Sequence, residues 1–175
     1  MNPGTLIQDK LARSDLLESL RADVSSGSSL VLEELTPSSK ALVLAQTIEA
    51  SKKPLLVLTG AGVEEFKLYN DLPLFSKYPI IELASWEMLP SENVAPSPDI
   101  VGARFKALHT LKETDGPCII LSTLQGVLQK VLDPKAFKGL FFTLKRGDKS
   151  RFDEMLFRLE RLGYERKPVA CEKGE

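Results

Sequence analysis

Short apolar runs alternate with longer amphipathic ones along this chain, and that alternation restricts its fold more than any other feature. The runs are Leu30-Val-Leu32, Leu55-Leu-Val-Leu58, Pro79-Ile-Ile-Glu-Leu83 and Pro117-Cys-Ile-Ile-Leu121. Between and after them lie segments with apolar residues at helical spacing: 41–50, 63–72, 99–112 and 123–131. Strands that are apolar nearly throughout need cover on both faces, and amphipathic crossovers supply it. The pattern predicts an α/β fold, a parallel sheet with helices on both faces. Residues 5–24 read as one or two further amphipathic helices ahead of the Ser25-Ser-Gly-Ser-Ser29 break. At 175 residues the chain is long enough to bury a real core.

The pattern changes near Asp133-Pro134. Leu140-Phe-Phe-Thr-Leu144 reads as a strand, Ser150 to Leu162 as a helix with Phe152, Met155, Leu156 and Leu159 on one stripe, and Tyr164 to Ala170 as an extended segment. Charge shifts at the same place: residues 131–175 hold 11 Lys and Arg against 8 Asp and Glu, and the remainder holds 12 against 16. Two units follow, an α/β domain over 1–132 and a small α+β module over 133–175. The net charge of −1 argues against a nucleic-acid footprint over the whole surface. No apolar stretch reaches the ~20 residues of a membrane helix, and Met1-Asn-Pro-Gly4 is no signal peptide, so no membrane role and a cytoplasmic location are expected.

Chemistry is thinly represented. The first apolar run leads into Leu35-Thr-Pro-Ser-Ser-Lys-Ala-Leu42, where a parallel α/β nucleotide-binding protein carries G-x-x-x-x-G-K-[ST]. Thr36, Pro37, Ser38, Ser39, Lys40 and Ala41 retain the lysine alone. Both glycines are missing, Pro37 removes a backbone donor, and Ala41 stands where the magnesium-binding hydroxyl belongs. No cofactor is expected. Thr59-Gly-Ala-Gly62 reads as a sharp turn, and Ile119-Ile-Leu-Ser-Thr123 ends without an acidic residue to position magnesium. His109, the single histidine, reads as structural or superficial, and Cys118 as a small buried thiol with no partner ligands for a metal. No catalytic residue and no metal site are expected, and the chain does not read as a self-contained enzyme.

One run is far more specific. Trp86-Glu-Met-Leu-Pro-Ser-Glu92, then Ser97-Pro-Asp-Ile-Val-Gly-Ala-Arg104, then Ala107-Leu108, packs Pro90, Pro96, Pro98 and the only tryptophan ahead of a helix start at Asp99. This run resembles the N-terminal region of bacterial transcription-repair coupling factors, a UvrB-like region. Leu35–Leu42, Leu68-Tyr-Asn-Asp-Leu72, Ile120–Gln129, Leu162-Gly-Tyr-Glu-Arg166 and Glu172-Lys-Gly-Glu175 fit the same resemblance in order.

The resemblance implies a helicase-like α/β domain without ATPase function, then the start of an inserted module that recruits UvrA. It also implies a full-length ATP-driven DNA translocase acting on RNA polymerase and double-stranded DNA through parts outside this sequence. Arg166 matches an arginine of the recruitment module and is the first candidate for UvrA contact, with Arg146, Arg158 and Arg161 behind it. Trp86 is expected to anchor its loop and Arg104 to pair with an acidic neighbour. Two other readings stay open: a UvrB-like protein handling damaged DNA with ATP, and a stand-alone α/β interaction module.

Overall fold

The computed structural model describes residues 14–60, 63–86, 95–133, 135–141, 144–147, 149 and 151–169. Its elements run α1 (Asp15–Ser26), α2 (Pro37–Ser51), β1 (Leu55–Thr59), α3 (Val63–Phe75), β2 (Ile80–Leu83), α4 (Pro98–Glu113), β3 (Ile119–Thr123), α5 (Leu124–Leu128), a 3₁₀ turn (Ala136–Gly139) and α6 (Phe152–Arg161). The strands form one parallel sheet in the order β1-β3-β2. Leu55 lies beside Ile119 and Thr59 beside Thr123 on one side of β3, and Ile80 beside Ile119 on the other. The α/β class expected from the apolar alternation is the one observed.

Strand alternation sends neighbouring residues of β3 to opposite faces. Ile119 and Leu121 enter one core with Val57, Ala41 and Ile48 of α2, and Leu68 and Leu72 of α3. Ile120 packs on the other face with Ile81, Cys118 and Ala107 and Leu111 of α4. Helices therefore cover both faces. The cover is incomplete, because Leu56 and Leu58 of β1 point toward the α4 side and remain 48% and 49% exposed. β1 is an edge strand that α4 does not reach.

Helix limits follow local chemistry. Pro98 occupies the first turn of α4, where its missing N–H is no loss, and the Ser97 hydroxyl accepts from the Ile100 N–H at 3.4 Å. Gly27 closes α1 at φ 77°, with its N–H turned back to the Asp23 and Val24 carbonyls. The Arg21 guanidinium donates to Gln46 Oε1 at 2.9 and 2.7 Å, tying α1 to α2. α3 continues three residues past its expected end, through Pro73, because the loss of one hydrogen bond in a last turn costs less than withdrawing Leu72, which is fully buried.

Three sequence expectations fail. Leu30–Leu32 is not a buried strand: it is irregular and exposed, Val31 by 86%, and Glu34 just beyond it takes a left-handed φ of 58°. Three apolar residues flanked by Glu33-Glu34 and a backbone reversal cannot hold a register. The helix expected over 123–131 shortens to Leu124–Leu128, since Gly126 weakens it and Gln129 is drawn away as a ligand of other groups. The strand expected at Leu140–Leu144 is absent at the described positions 140, 141 and 144. Phe141 instead stacks on His109 at 4.5 Å and on Phe137 at 5.3 Å, and Phe137 lies 5.8 Å from Phe105. Aromatic stacking against α4 wins over strand pairing here. The N-terminal part of the first predicted helix, residues 5–13, lies outside the described residues.

Leu72 sits at the centre of the larger core with no exposed surface. Leu72→Ala is expected to lower unfolding free energy by about 3 kcal/mol, read as a shifted urea midpoint with an unchanged slope.

Candidate functional site

In open parallel sheets, function gathers at the carboxyl ends of the strands. Two constructions occupy that edge here. The first is a cleft of about 310 Å³ between the start of α2 and the end of β1, lined by Leu35, Pro37, Lys40, Leu44, Thr59 and Gly60 among others. This is where the phosphate loop was expected, and the local geometry is that of a tightly packed helix start. Thr36 precedes the helix at φ −71° and ψ 161°, with Pro37 in the first turn. The Thr36 and Ser39 hydroxyls lie 2.9 Å apart, and Ser39 Oγ also donates to the Thr36 carbonyl at 2.9 Å. Ser38 Oγ donates to Asp71 Oδ2 on α3 at 2.9 Å. Ala41 is wholly buried, with its methyl in the core. The serine hydroxyls are thus engaged within the chain, and the cleft wall is largely hydrocarbon. Thr59 Oγ1 is shielded from solvent and has no hydrogen-bond partner among the described residues.

The second construction centres on Arg104, which is 2% exposed. Among the described residues its partners are carbonyls, an amide and a ring, with no carboxylate. Nη1 donates to the Ala84 carbonyl, and Nη1 and Nη2 both reach the Gly126 carbonyl at 3.3 Å. Nη1 also lies 3.4 Å from Gln129 Oε1. The guanidinium carbon sits 4.8 Å from the centre of the Trp86 ring, and Trp86 N–H donates to Gln129 Oε1 at 2.8 Å. Carbonyl dipoles and an aromatic face replace a carboxylate. Burial pulls the guanidinium's pKa below its usual value, yet an arginine keeps its proton throughout the accessible range.

Gly126 makes this approach possible. A side chain there would place Cβ 2.6 Å from Ser122 Oγ and 3.1 Å from the Leu83 carbonyl. That oxygen already accepts from Ser122 Oγ at 2.7 Å, and the Gly126 N–H donates to Thr123 Oγ1 at 3.0 Å. β2, β3, α4 and α5 are joined at one point. Sequence reasoning singled out Arg104 and Trp86 but missed Gly126 and Gln129. The available signal was Thr123 three residues before Gly126, a helix cap with a glycine in its first turn.

The arginines proposed for partner contact lie elsewhere, all exposed. Arg158 and Arg161 share one side of α6, three residues apart, and Arg161 lies 5.9 Å from the Phe157 ring. Arg146 occupies a turn with Gly147, and Arg166 lies in irregular chain beyond the helix. α6 brings Arg158 and Arg161 together; no regular element joins Arg146 or Arg166 to them. Cys118 is buried, which pushes its thiol pKa up and its reactivity down. Glu172–Glu175 and Cys171 lie outside the described residues. No described helix is long and apolar enough to cross a membrane.

A small parallel α/β layer whose carboxyl edge is held by a carbonyl-bound arginine is the class of structure that these observations define. No protein-family model matches the chain. The transcription-repair-coupling factor of Mycobacterium bovis is 34% identical over 152 residues, covering 82% of this chain and 12% of the relative. That of Escherichia coli is 24% identical over 152 residues, covering 87% and 13%. UvrABC system protein B of Aliivibrio fischeri is 27% identical over 154 residues, covering 80% and 22%. The chain belongs to the transcription-repair-coupling factor family, and it spans about an eighth of the length of the relatives that carry that name.

Gly126→Ala is expected to lose about 2 kcal/mol of stability, because both close neighbours are short or backbone groups. Adding Ser122→Ala should recover part of that loss, as read by paired urea melts. Arg104→Lys is expected to destabilise by about 2 kcal/mol, since one ammonium cannot span three acceptors and stack on a ring. The emission of the single tryptophan should shift to the red in that variant, and an unchanged spectrum would refute the stacking.

Proposed function

We propose that this chain is a non-catalytic scaffold and UvrA-recruiting part of a transcription-coupled DNA-repair translocase, corresponding to its N-terminal, UvrB-like region. The observation that carries the reading is the likeness over most of the chain to both transcription-repair-coupling factors and a UvrABC system protein B. A helicase-like layout for residues 1–132, and an inserted recruitment module begun by 133–175, belong to the same proposal. So do a cytoplasmic setting, and RNA polymerase and double-stranded DNA as partners of the longer protein.

The α2 start supports the non-catalytic part of the reading. Pro37 withholds a donor, Ser38 and Ser39 are engaged within the chain, and Ala41 is committed to the core. A nucleotide cradle needs free backbone donors and a hydroxyl for magnesium. Likeness to UvrB favours a second reading, ATP-dependent handling of damaged DNA. The two readings differ at Lys40.

Arg166 is the first choice for UvrA contact because an exposed guanidinium suits paired carboxylate recognition. Immobilised UvrA is expected to retain this chain, and Arg166→Ala is expected to weaken retention about tenfold, the value of one charge-assisted hydrogen-bond pair. Equal retention of the variant would move the contact elsewhere. Titration calorimetry with ATP and magnesium should show no heat of binding. Micromolar affinity abolished by Lys40→Ala would overturn the scaffold reading in favour of the ATP-dependent one.

A further inference from the structure

The segment from Lys130 to Arg151 is strongly basic in a chain whose net charge is −1. It holds seven Lys and Arg against two Asp. Arg151 is drawn to Glu154 at 3.8 Å, and Lys145 has a partner within the chain. Lys130, Lys135, Arg146 and Lys149 are exposed and have no ion pair among the described residues. Asp133 accepts from the Lys135 N–H at 2.7 Å, which turns its carboxylate to the backbone.

Packing brings one more cation into line. Phe137, 5% exposed, lies 5.8 Å from Phe105, and Phe141 stacks on His109 at 4.5 Å. Phe105, His109 and Lys112 follow at i, i+4 and i+7, on one face of α4. The aromatic contacts thus lay the start of the basic segment along a stripe that ends in exposed Lys112. Glu113 is next in sequence but stands about 100° further round the helix.

These cations suit phosphates better than the carboxylates of a protein. Four of the five are lysines, which protein interfaces disfavour and which meet phosphate as point charges. A protein interface also needs an apolar anchor beside its charges. Here the neighbouring rings, Phe105, Phe137 and Phe141, are used on one another and on His109. The same packing leaves those rings no free face for unstacked bases, which favours a duplex over a single strand.

We propose that Lys112, Lys130, Lys135, Arg146 and Lys149 form a ridge that holds the phosphate backbone of double-stranded DNA without regard to sequence. Affinity comes from counterions released at about four phosphates. The contact belongs to this chain itself and goes beyond recruitment of a protein partner.

The probe is a fluorescein-labelled DNA duplex of about 20 base pairs, titrated with the whole chain and followed by anisotropy over a series of potassium chloride concentrations. The expected result is a dissociation constant of roughly 10⁻⁵ M at about 50 mM salt, with a log–log salt slope of about −3 to −4. Lys135→Gln with Lys149→Gln should weaken binding at least fivefold at that salt and make the slope shallower by about two. Both positions are exposed, so the fold should persist, as a urea melt checks. Should the pair melt early, each single substitution is expected to make the slope shallower by about one. Lys53→Gln with Lys67→Gln removes the same charge from exposed positions elsewhere and should change affinity less than twofold. The matched single strand should bind no tighter than the duplex, and poly-glutamate should compete several-fold less well than unlabelled duplex at equal charge. Arg166→Ala, the variant aimed at UvrA, should leave duplex affinity within twofold, so the two readings fail separately.

The proposal would be overturned by no binding at about 50 mM salt, a slope near zero, equal losses in the two paired variants, tighter binding of the single strand, or equal competition by poly-glutamate. The last would show an acidic protein surface as the partner.

Discussion

Every strand contact among the described residues passes through β3. β1 and β2 do not touch each other; each is hydrogen-bonded to one side of Ile119–Thr123. The strand is also the boundary between the two cores, with Ile119 and Leu121 facing α2 and α3, and Ile120 facing α4. A central parallel strand must satisfy both edges and both faces at once, which explains the apolar run Ile119–Leu121. It also explains why its last residues are Ser122 and Thr123. Where the sheet ends, the backbone still needs partners, and these two hydroxyls bond the Leu83 carbonyl and the Gly126 N–H.

The Arg104 cluster continues the same logic beyond the last ladder bond. Ala84, just past β2, and Gly126, within α5, leave carbonyls pointing into a space closed by α4. Arg104 reaches those of Ala84 and Gly126 with one planar group and stacks its face on Trp86. Without the guanidinium those carbonyls would lose their donors, a costly outcome in a buried site. The proline-rich run from Trp86 to Arg104 is held at its two described ends by this contact and by the Ser97 cap.

Much of this was legible in the sequence, for a definite reason. β1, β2 and β3 and the helices between them were visible because burial on one stripe or on both faces leaves a period in the residues. Leu30–Leu32 has the composition of a strand but no neighbour to pair with, and composition alone does not reveal pairing. Phe141 stacks on His109, and Phe137 and Phe141 both lie tilted against Phe105 of α4. Aromatic pairing between distant segments leaves no local pattern. At the carboxyl edge the donor was legible and its acceptors were not, since backbone carbonyls belong to every residue type alike.

The contrast between the two constructions at that edge bears on function. Near α2, the groups that would hold a phosphate have been turned inward: a proline at the helix start, serines bonded within the chain, and an alanine methyl in the core. Near α4, a buried cation with several donors bonds the chain's own carbonyls and the Gln129 amide. Thr59 Oγ1, at the end of β1, is the exception: it is shielded with no hydrogen-bond partner among the described residues. At both ends the carboxyl edge is therefore fixed by polar groups bonded within the chain, so its shape is set by the sheet and the helices beside it.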